Sequence, residues 1–510
     1  MTSALTHGWR LLRWGRILAK HGALRGIERD PNTPAAVRRL VRVARFGARV
    51  PAVPRYADAF QAIGPAAIKL GQALATRPDL VGEAAATDLA RLQDAVPPVP
   101  FARIRAAVET SLEKPIAAVF ASFEEEPVGA ASIAQVHRAV TTEGRRVAVK
   151  VLRPGIEEDL HRAIETYEWA AAQAEAFGGE LARLRPRLTI ATFRQWTLRE
   201  LDLRREAASA SELAENMAAE PSFTVPAIDW SRTTRRVMTL EWIDGIKLSD
   251  RRALIAAGHD MNQLASTLVR GFLRQAIDDG FFHADLHQGN LFALADGRIC
   301  AIDFGIMGRV NRQARLWLAE ILHGLVTGNY QRVAEIHFEA GYVPPHHNLA
   351  EFTTALRAVG EPIRGLPVKD VSVGQMLDGL FAITRDFDMV TQPHLLLLQK
   401  TMVMVEGVAS MLDPDINMWD VSGPFVKEWL RSELGPEAWL ADRIHQDLGT
   451  LARLPELLRR IEAHYPAPGA APPPPPLRQV EVVRIGGGWR YLVIALVALM
   501  AGMEIARLFF

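Results

Sequence analysis

Cysteine is all but missing from these 510 residues. Cys300 stands alone, so no intrachain disulfide can form, and its place in the apolar run IleCysAlaIle ahead of Asp303 predicts a buried strand residue, not a reactive thiol. A reducing, cytoplasmic setting is the expectation. Lysine is scarce as well, at eight of the 59 basic residues. Where arginine is the habit, lysine inside a motif points to a site that wants a compact point charge in place of a planar guanidinium. No apolar run of seven residues follows the first charges, which argues against a secretory signal peptide. No internal repeat is present, so the chain is not a stack of copies of one unit. Against these absences, 49% apolar and 23% charged residues mark a folded chain with a substantial core, in one large domain or two smaller ones.

The net charge of +1 conceals an asymmetry. Residues 1–55 hold twelve Arg or Lys against Glu28 and Asp30, a balance of +10 that leaves −9 for the rest. In WRLLRWGRILAK the bases Arg10, Arg13, Arg16 and Lys20 recur at nearly helical spacing, while Trp9, Leu11, Leu12, Trp14, Ile17 and Leu18 supply apolar bulk able to enter a headgroup region. Anionic membrane lipids are the implied partner. The same pattern also suits a helix packed on its own domain, and a nucleic-acid arm is the least favoured reading.

At the other end, residues 466–476 (ProAlaProGlyAlaAlaProProProProPro) can neither hold a helix nor fill a core and read as an extended linker. Tyr491 to Phe510 follow, twenty residues that as a helix extend about 30 Å, the thickness of a bilayer's hydrocarbon core. One membrane span is expected, with Glu504 and Arg507 paired or near the far interface. Arg484 and Arg490 precede it beside Trp489 and Tyr491, which by the positive-inside tendency leaves the main body in the cytoplasm. Ala498, Gly502 and Ala506 form a small-residue stripe suited to a homodimer.

Between these ends the alternation of Val147, Val149 and Val151 in RRVAVKVL predicts a strand, ended by Pro154 and Gly155. Residues 296–305 (AspGlyArgIleCysAlaIleAspPheGly) predict a turn and a second short strand, and long helical patterns run from about 250 to 460. The sharpest chemical signal is HADLHQGN at 283–290 with IDFG at 302–305. Phosphoryl transfer needs charge neutralisation and positioning more than covalent chemistry. Asp285 near the nucleophile, Asn290 on a metal and Asp303 bridging Mg²⁺ to the phosphates form a sufficient set. Their spacings of five and thirteen residues match the catalytic and magnesium loops of the protein-kinase fold, and VAVK supplies Lys150 for the α- and β-phosphates. His283 is expected to be structural, and His287 stands where protein kinases usually carry lysine. His346 and His347 follow two prolines with no cysteine or carboxylate at ligand spacing, and a solvated pair is expected.

At these residues the chain resembles the UbiB family, the atypical kinase-like proteins of ubiquinone biosynthesis, over roughly residues 60–310 and the C-terminal anchor. The family's K-x-G-Q motif matches Lys69, Gly71 and Gln72; its alanine-rich nucleotide loop matches PVGAASIAQVH; its E-x-D motif matches Glu200 and Asp202; and its αC-type glutamate matches Glu206. The resemblance implies a catalytic set of Asp285, Lys150, Lys69, Glu200, Asp202 and Glu206. It implies ATP contacts at Val128, Gly129, Ala130, Ala131, Ser132, Val136 and Lys150, with Glu241 and Ile243 in a hinge for adenine, and Mg²⁺ on Asn290 and Asp303. Gly129 departs from the alanine common there, and no AlaProGlu triplet follows Asp303, so docking of a protein substrate is not evident.

The expected fold is α+β, protein-kinase-like and two-lobed, with a helical N-terminal extension and a C-terminal transmembrane helix. Its parts are a basic N-terminal region at 1–60, a helical extension at 61–125, an N-lobe at 126–245, a helical C-lobe at 246–465, a linker at 466–488 and an anchor at 489–510. The implied function is an ATPase supporting ubiquinone biosynthesis at the inner membrane, with quinone-precursor lipids and other ubiquinone-biosynthesis proteins as partners and no nucleic acid. A phosphotransferase acting on a small molecule or lipid, and a non-catalytic nucleotide-binding adaptor, are the rival readings.

Overall fold

A computed structural model of the chain describes residues 4–25, 35–45, 51, 53–75, 81–92, 97–177, 185–364, 383, 386–389 and 392–417, with 421, 422, 424, 425, 428 and 429. The expected linker, membrane anchor and small-residue stripe lie outside these residues. Among the described residues no helix is long and apolar enough to cross a membrane. The described residues divide into two compact units, one running to Ala208 and including Ile228–Trp242, the other made of Ser209–Ala227 and the described residues from Ile243 onward.

The first unit begins with helices α1 (Ala4–Lys20), α2 (Ala35–Arg45), α3 (Tyr56–Ile63), α4 (Pro65–Ala75) and α5 (Glu83–Leu89). Gly64, at φ 124°, breaks the chain between α3 and α4. Pro65 restarts it at the first helical position, where the missing N–H costs nothing. Gly71 lies where α4 meets its neighbours, and a Cβ there would come within 2.3 Å of Leu92 Cδ1 and 2.8 Å of Phe60 Cδ1. These helices share one apolar cluster (Leu11, Trp14, Phe60, Ile68 and Leu89 among its members) with Tyr167 of α7 (Ile156–Phe177) and Phe193 of α8 (Pro186–Glu200).

The sheet of this unit runs β1 (Phe120–Phe123), β3 (Ala134–Thr141), β4 (Arg146–Leu152), β6 (Val237–Glu241), with β2 (Gly129–Ala130) pairing β3. All pairings are antiparallel. Period-two alternation buries Val147, Val149 and Val151 against Ile104 and Val108 of α6 (Phe101–Leu112). Lys150 therefore points to the opposite face, where Met238, Leu240, Leu201 and Leu203 form a second apolar layer with Ala207 of α9 (Leu203–Asn216). The predicted strand end is met: Gly155 follows in the left-handed region at φ 87°.

The second unit carries a sheet in the order β5 (Phe223–Thr224), β10 (Ile299–Ala301), β9 (Leu291–Leu294), β7 (Gly245–Lys247), and a two-stranded ribbon of β8 (Phe281–His283) and β11 (Met307–Arg309). Gly297, at φ 84°, makes the turn between β9 and β10, and Cys300 is buried in β10 as its apolar neighbours require. Its helices include α10 (Met261–Leu273), α11 (Arg312–Thr327), α12 (Tyr330–Glu339), α13 (Leu349–Arg364) and α14 (Pro393–Leu412). Asp260, Asn311 and Asn329 cap α10, α11 and α12 by accepting backbone N–H bonds. Between α10 and β8, residues Arg274–Asp279 form a π-helical turn that Gly280 closes at φ 64°. An added Cβ at Gly280 would sit 2.3 Å from the Val310 carbonyl, so the close approach of β8 and β11 requires glycine.

Candidate active site

In the first unit Lys150 Nζ donates to Glu206 Oε1 at 2.6 Å, with side chains 14% and 10% exposed. Glu206 lies in the first turn of α9, where the helix dipole favours a carboxylate. A second pair stands on the same unit: Lys69 Nζ of α4 is 2.8 Å from Glu200 Oε2 at the end of α8. The connection between α8 and α9 reads Glu-Leu-Asp-Leu, and burial of Leu201 and Leu203 fixes which way its acidic residues face. Asp202 is gripped by Arg204, whose Nε and Nη2 donate to it at 2.9 and 2.7 Å. That guanidinium holds the Asp202 carboxyl below the usual carboxylate range. Gln72 donates to the Leu92 carbonyl at 3.4 Å, within the helical extension itself.

The nucleotide-loop candidates surround a tight hairpin. Val128 N–H donates to the Val136 carbonyl and Ala131 N–H to the Ala134 carbonyl, each at 2.8 Å, and Val136 pairs with Lys150 across β3 and β4. Gly129 and Ala130 are β2; a Cβ added at Gly129 would meet nothing within 4 Å, so neither backbone nor packing demands glycine there. Ser132 is fully buried, yet its Oγ has no hydrogen-bond partner. An orphaned hydroxyl in such a loop fits a polar ligand. Glu241 ends β6, an edge strand, and Ile243 belongs to the second unit.

In the second unit the loop between β8 and β9 is organised by His283. Its Nδ1 accepts the Asp285 N–H at 3.1 Å and its Nε2 faces the Ile302 carbonyl at 3.3 Å, while its own N–H donates to Gln275 Oε1 at 3.0 Å. The partners assign the proton to Nε2, and complete burial lowers the imidazole pKa, keeping the ring neutral. One structural histidine thus holds the backbones of both motif loops. Asn290 Nδ2 donates to the Asp285 carbonyl at 3.1 Å, leaving its amide oxygen as the donor a hard cation would take. Asp303 is a non-glycine residue at φ 63°. Such a conformation costs about 1–3 kcal/mol and persists where the surroundings fix it.

Lys400 Nζ lies 3.7 Å from Asp285 Oδ1, and the His287 ring nitrogen Nε2 lies 3.9 Å from its Oδ2. Lys400 belongs to α14 and stands in no recognisable sequence motif. The scarcity of lysine offered the signal, because Lys400 is one of the eight. Within this unit the oxygens of Asp285, Asn290 and Asp303 suit a hard cation such as Mg²⁺. Within the first unit, taken by itself, Lys150 and the orphaned Ser132 hydroxyl suit phosphate oxygens.

Family models match the chain at residues 91–337, the ABC1 atypical kinase-like domain, and at residues 356–417, the UbiB helical domain. Two curated relatives bear the name "Probable protein kinase UbiB". That of Marinobacter nauticus is 40% identical over 403 residues, covering 78% of this chain and 74% of the relative. That of Pseudomonas fluorescens is 38% identical over 443 residues, covering 84% and 83%. A solved complex of Rv3197 with erythromycin from Mycobacterium tuberculosis aligns at 24% identity and a TM-score of 0.48, over 71% of this chain and 92% of that one.

Proposed function

The chain belongs to the UbiB family of atypical kinase-like proteins, and from that premise we propose that it is a Mg-ATP-dependent ATPase supporting ubiquinone biosynthesis at a membrane. The observation that carries the reading is the Lys150–Glu206 pair at 2.6 Å, which holds an ammonium in a largely buried, charge-compensated position suited to phosphate oxygens. Asp303 and Asn290 would hold Mg²⁺. The metal, when bound, neutralises the charge on the β- and γ-phosphate oxygens. Asp285 orients the attacking oxygen and accepts its proton, and Lys400 balances the carboxylate. His283 stays neutral and preserves the loop geometry whichever way that proton moves.

Membrane association is supported by α1. Leu11, Trp14 and Leu18 are buried, while Leu5, Trp9 and Leu12 are 67%, 74% and 45% exposed at positions i, i+4 and i+7. That exposed ridge beside Arg13 and Arg16 is the surface we assign to anionic lipid headgroups. The expected C-terminal span and a homodimer through Ala498, Gly502 and Ala506 belong to the same proposal, as do quinone-precursor lipids and other ubiquinone-biosynthesis proteins as partners.

The test is ATP turnover by the purified chain with and without anionic vesicles and quinone-precursor phenols, with phosphate acceptors identified by mass spectrometry. Free phosphate, released faster with vesicles or phenol, is expected. Covalent phosphate on a lipid or small molecule would replace this reading with a phosphotransferase. Nucleotide binding without any turnover would make the chain an adaptor.

A further inference from the structure

Three ligating side chains of the second unit take no part in the chemistry above. His346 and His347 occupy the turn ahead of α13, and Asp388 comes from a turn 41 residues beyond His347. From sequence the histidine pair has no carboxylate at ligand spacing; the fold brings one. His347 Nε2 lies 3.3 Å from Asp388 Oδ2 and His346 Nε2 lies 3.7 Å from the same oxygen. One ligand atom from each of the three falls within 4.8 Å of the others. The two imidazoles are tilted against each other with centroids 4.2 Å apart, so both rings bring Nε2 to the same carboxylate.

The arrangement is held from behind. Phe387 packs on His347 at 5.4 Å and on the buried Phe352 of α13 at 4.9 Å, which seats the Asp388 turn on the apolar cluster. Asp388 itself has φ 46°, a backbone state that favours glycine or asparagine and that here aims the carboxylate at both rings. His347 Nε2 is shut off from solvent and makes no hydrogen bond. A proton shared with Asp388 would serve one imidazole, and a second imidazole on the same oxygen then has no function. A cation uses all three.

We propose that His346, His347 and Asp388 form a binding site for a borderline divalent cation of the Zn²⁺ class, joining the turn ahead of α13 to the turn at Asp388. Two imidazoles and one carboxylate select Zn²⁺ over Mg²⁺, whose preferred ligands are oxygen and water. Tetrahedral bonds of about 2.0–2.1 Å set donor atoms roughly 3.3 Å apart. His347 and Asp388 already stand at that separation, and a small rotation brings His346 to it. His346 and Asp388 are 66% and 71% exposed, which leaves an entry path and room for water as the fourth ligand.

The experiment titrates the full chain, carrying no polyhistidine tag, with Zn²⁺ and with Co²⁺, and follows heat, the Co²⁺ absorption bands and thermal unfolding. One equivalent, bands of a four-coordinate Co²⁺ and a Zn²⁺-dependent rise in Tm are expected. His346→Ala, at an exposed position, and Asp388→Asn, which keeps the left-handed backbone, should fold as the parent does and weaken Zn²⁺ at least about tenfold, since losing even an outer partner of a ligand costs roughly 10–100-fold. Asp303→Asn should leave this equivalent intact. If both of these variants titrate like the parent, or the equivalent disappears only in Asp303→Asn, the site is refuted.

Discussion

In the first unit Lys69 and Lys150 each meet a carboxylate directly, at 2.8 and 2.6 Å. In the second, Asp285, Asn290 and Asp303 lie in loops arranged by backbone hydrogen bonds and a neutral imidazole, and the Lys400 ammonium stays 3.7 Å from Asp285. The difference has a chemical reason. An ammonium meant for phosphate must be kept charged while largely buried, which only an opposite charge achieves. Groups meant for a metal need oxygen lone pairs, and here the fold holds the loop backbones through His283 and Asn290 while Asp303 Oδ1 takes a long 3.3 Å bond from the Gly305 N–H.

The contrast is broken most forcefully at Glu206. Glu206→Leu removes the carboxylate 2.6 Å from Lys150 and should cost about 3–5 kcal/mol, measured by denaturant unfolding. Lys150→Met/Glu206→Leu should recover most of that stability while binding no ATP; if the double variant stays as unstable as the single one, the pair is not what the region depends on. Asp303→Asn tests the other unit. Asparagine tolerates the left-handed backbone, so unfolding should be nearly unchanged, while turnover falls about a hundredfold or more as metal stabilisation of the transition state is lost.

Lys400→Ala should lower turnover by about tenfold, roughly 1.4 kcal/mol, with ATP affinity held and activity partly rescued in Lys400→Arg. An equal loss of affinity would show that Lys400 acts through binding and not through Asp285. His283 supplies a pH dependence. Its folded pKa lies below the ordinary value because burial disfavours the cation. The stability of the neutral ring is therefore complete above pH ~6.5 and lost as pH falls toward the folded pKa. In His283→Leu the slope of stability against pH below that point should be shallower, with an overall loss of about 2 kcal/mol from unpaired backbone groups.

The smallest effect is expected at Asp279, where burial raises the carboxyl to about 6. The folded state there holds its proton more tightly than the unfolded chain, so stability declines as pH rises from about 4 to about 6. Asp279→Asn should raise Tm by a few degrees at pH 7.5, with no gain below pH ~4.

Local pattern was legible in the sequence, and distance along the chain was not. The valine alternation around Lys150, the glycine at the turn before Cys300 and the spacing from Asp285 to Asp303 are short-range facts, each with a steric or chemical cause that acts within a few residues. Lys400 beside Asp285 spans 115 residues and Asp388 beside His347 spans 41, and neither follows from periodicity. The N-terminal helix held a different lesson. In the sequence, packing on its own domain and contact with lipid are alternatives, yet α1 buries Leu11 and Trp14 and still exposes Trp9.

Gly71 separates two things that its motif joins. Lys69 and Gln72 are there for their polar atoms, whereas Gly71 is there because Leu92 and Phe60 occupy the space where any side chain would begin. A methyl group at this position is therefore a steric wedge that pushes α4 outward without altering a single charge. Gly71→Ala makes the seating of Lys69 on Glu200 adjustable by geometry alone, and gives enzymologists a dial for the extension that leaves its chemistry untouched.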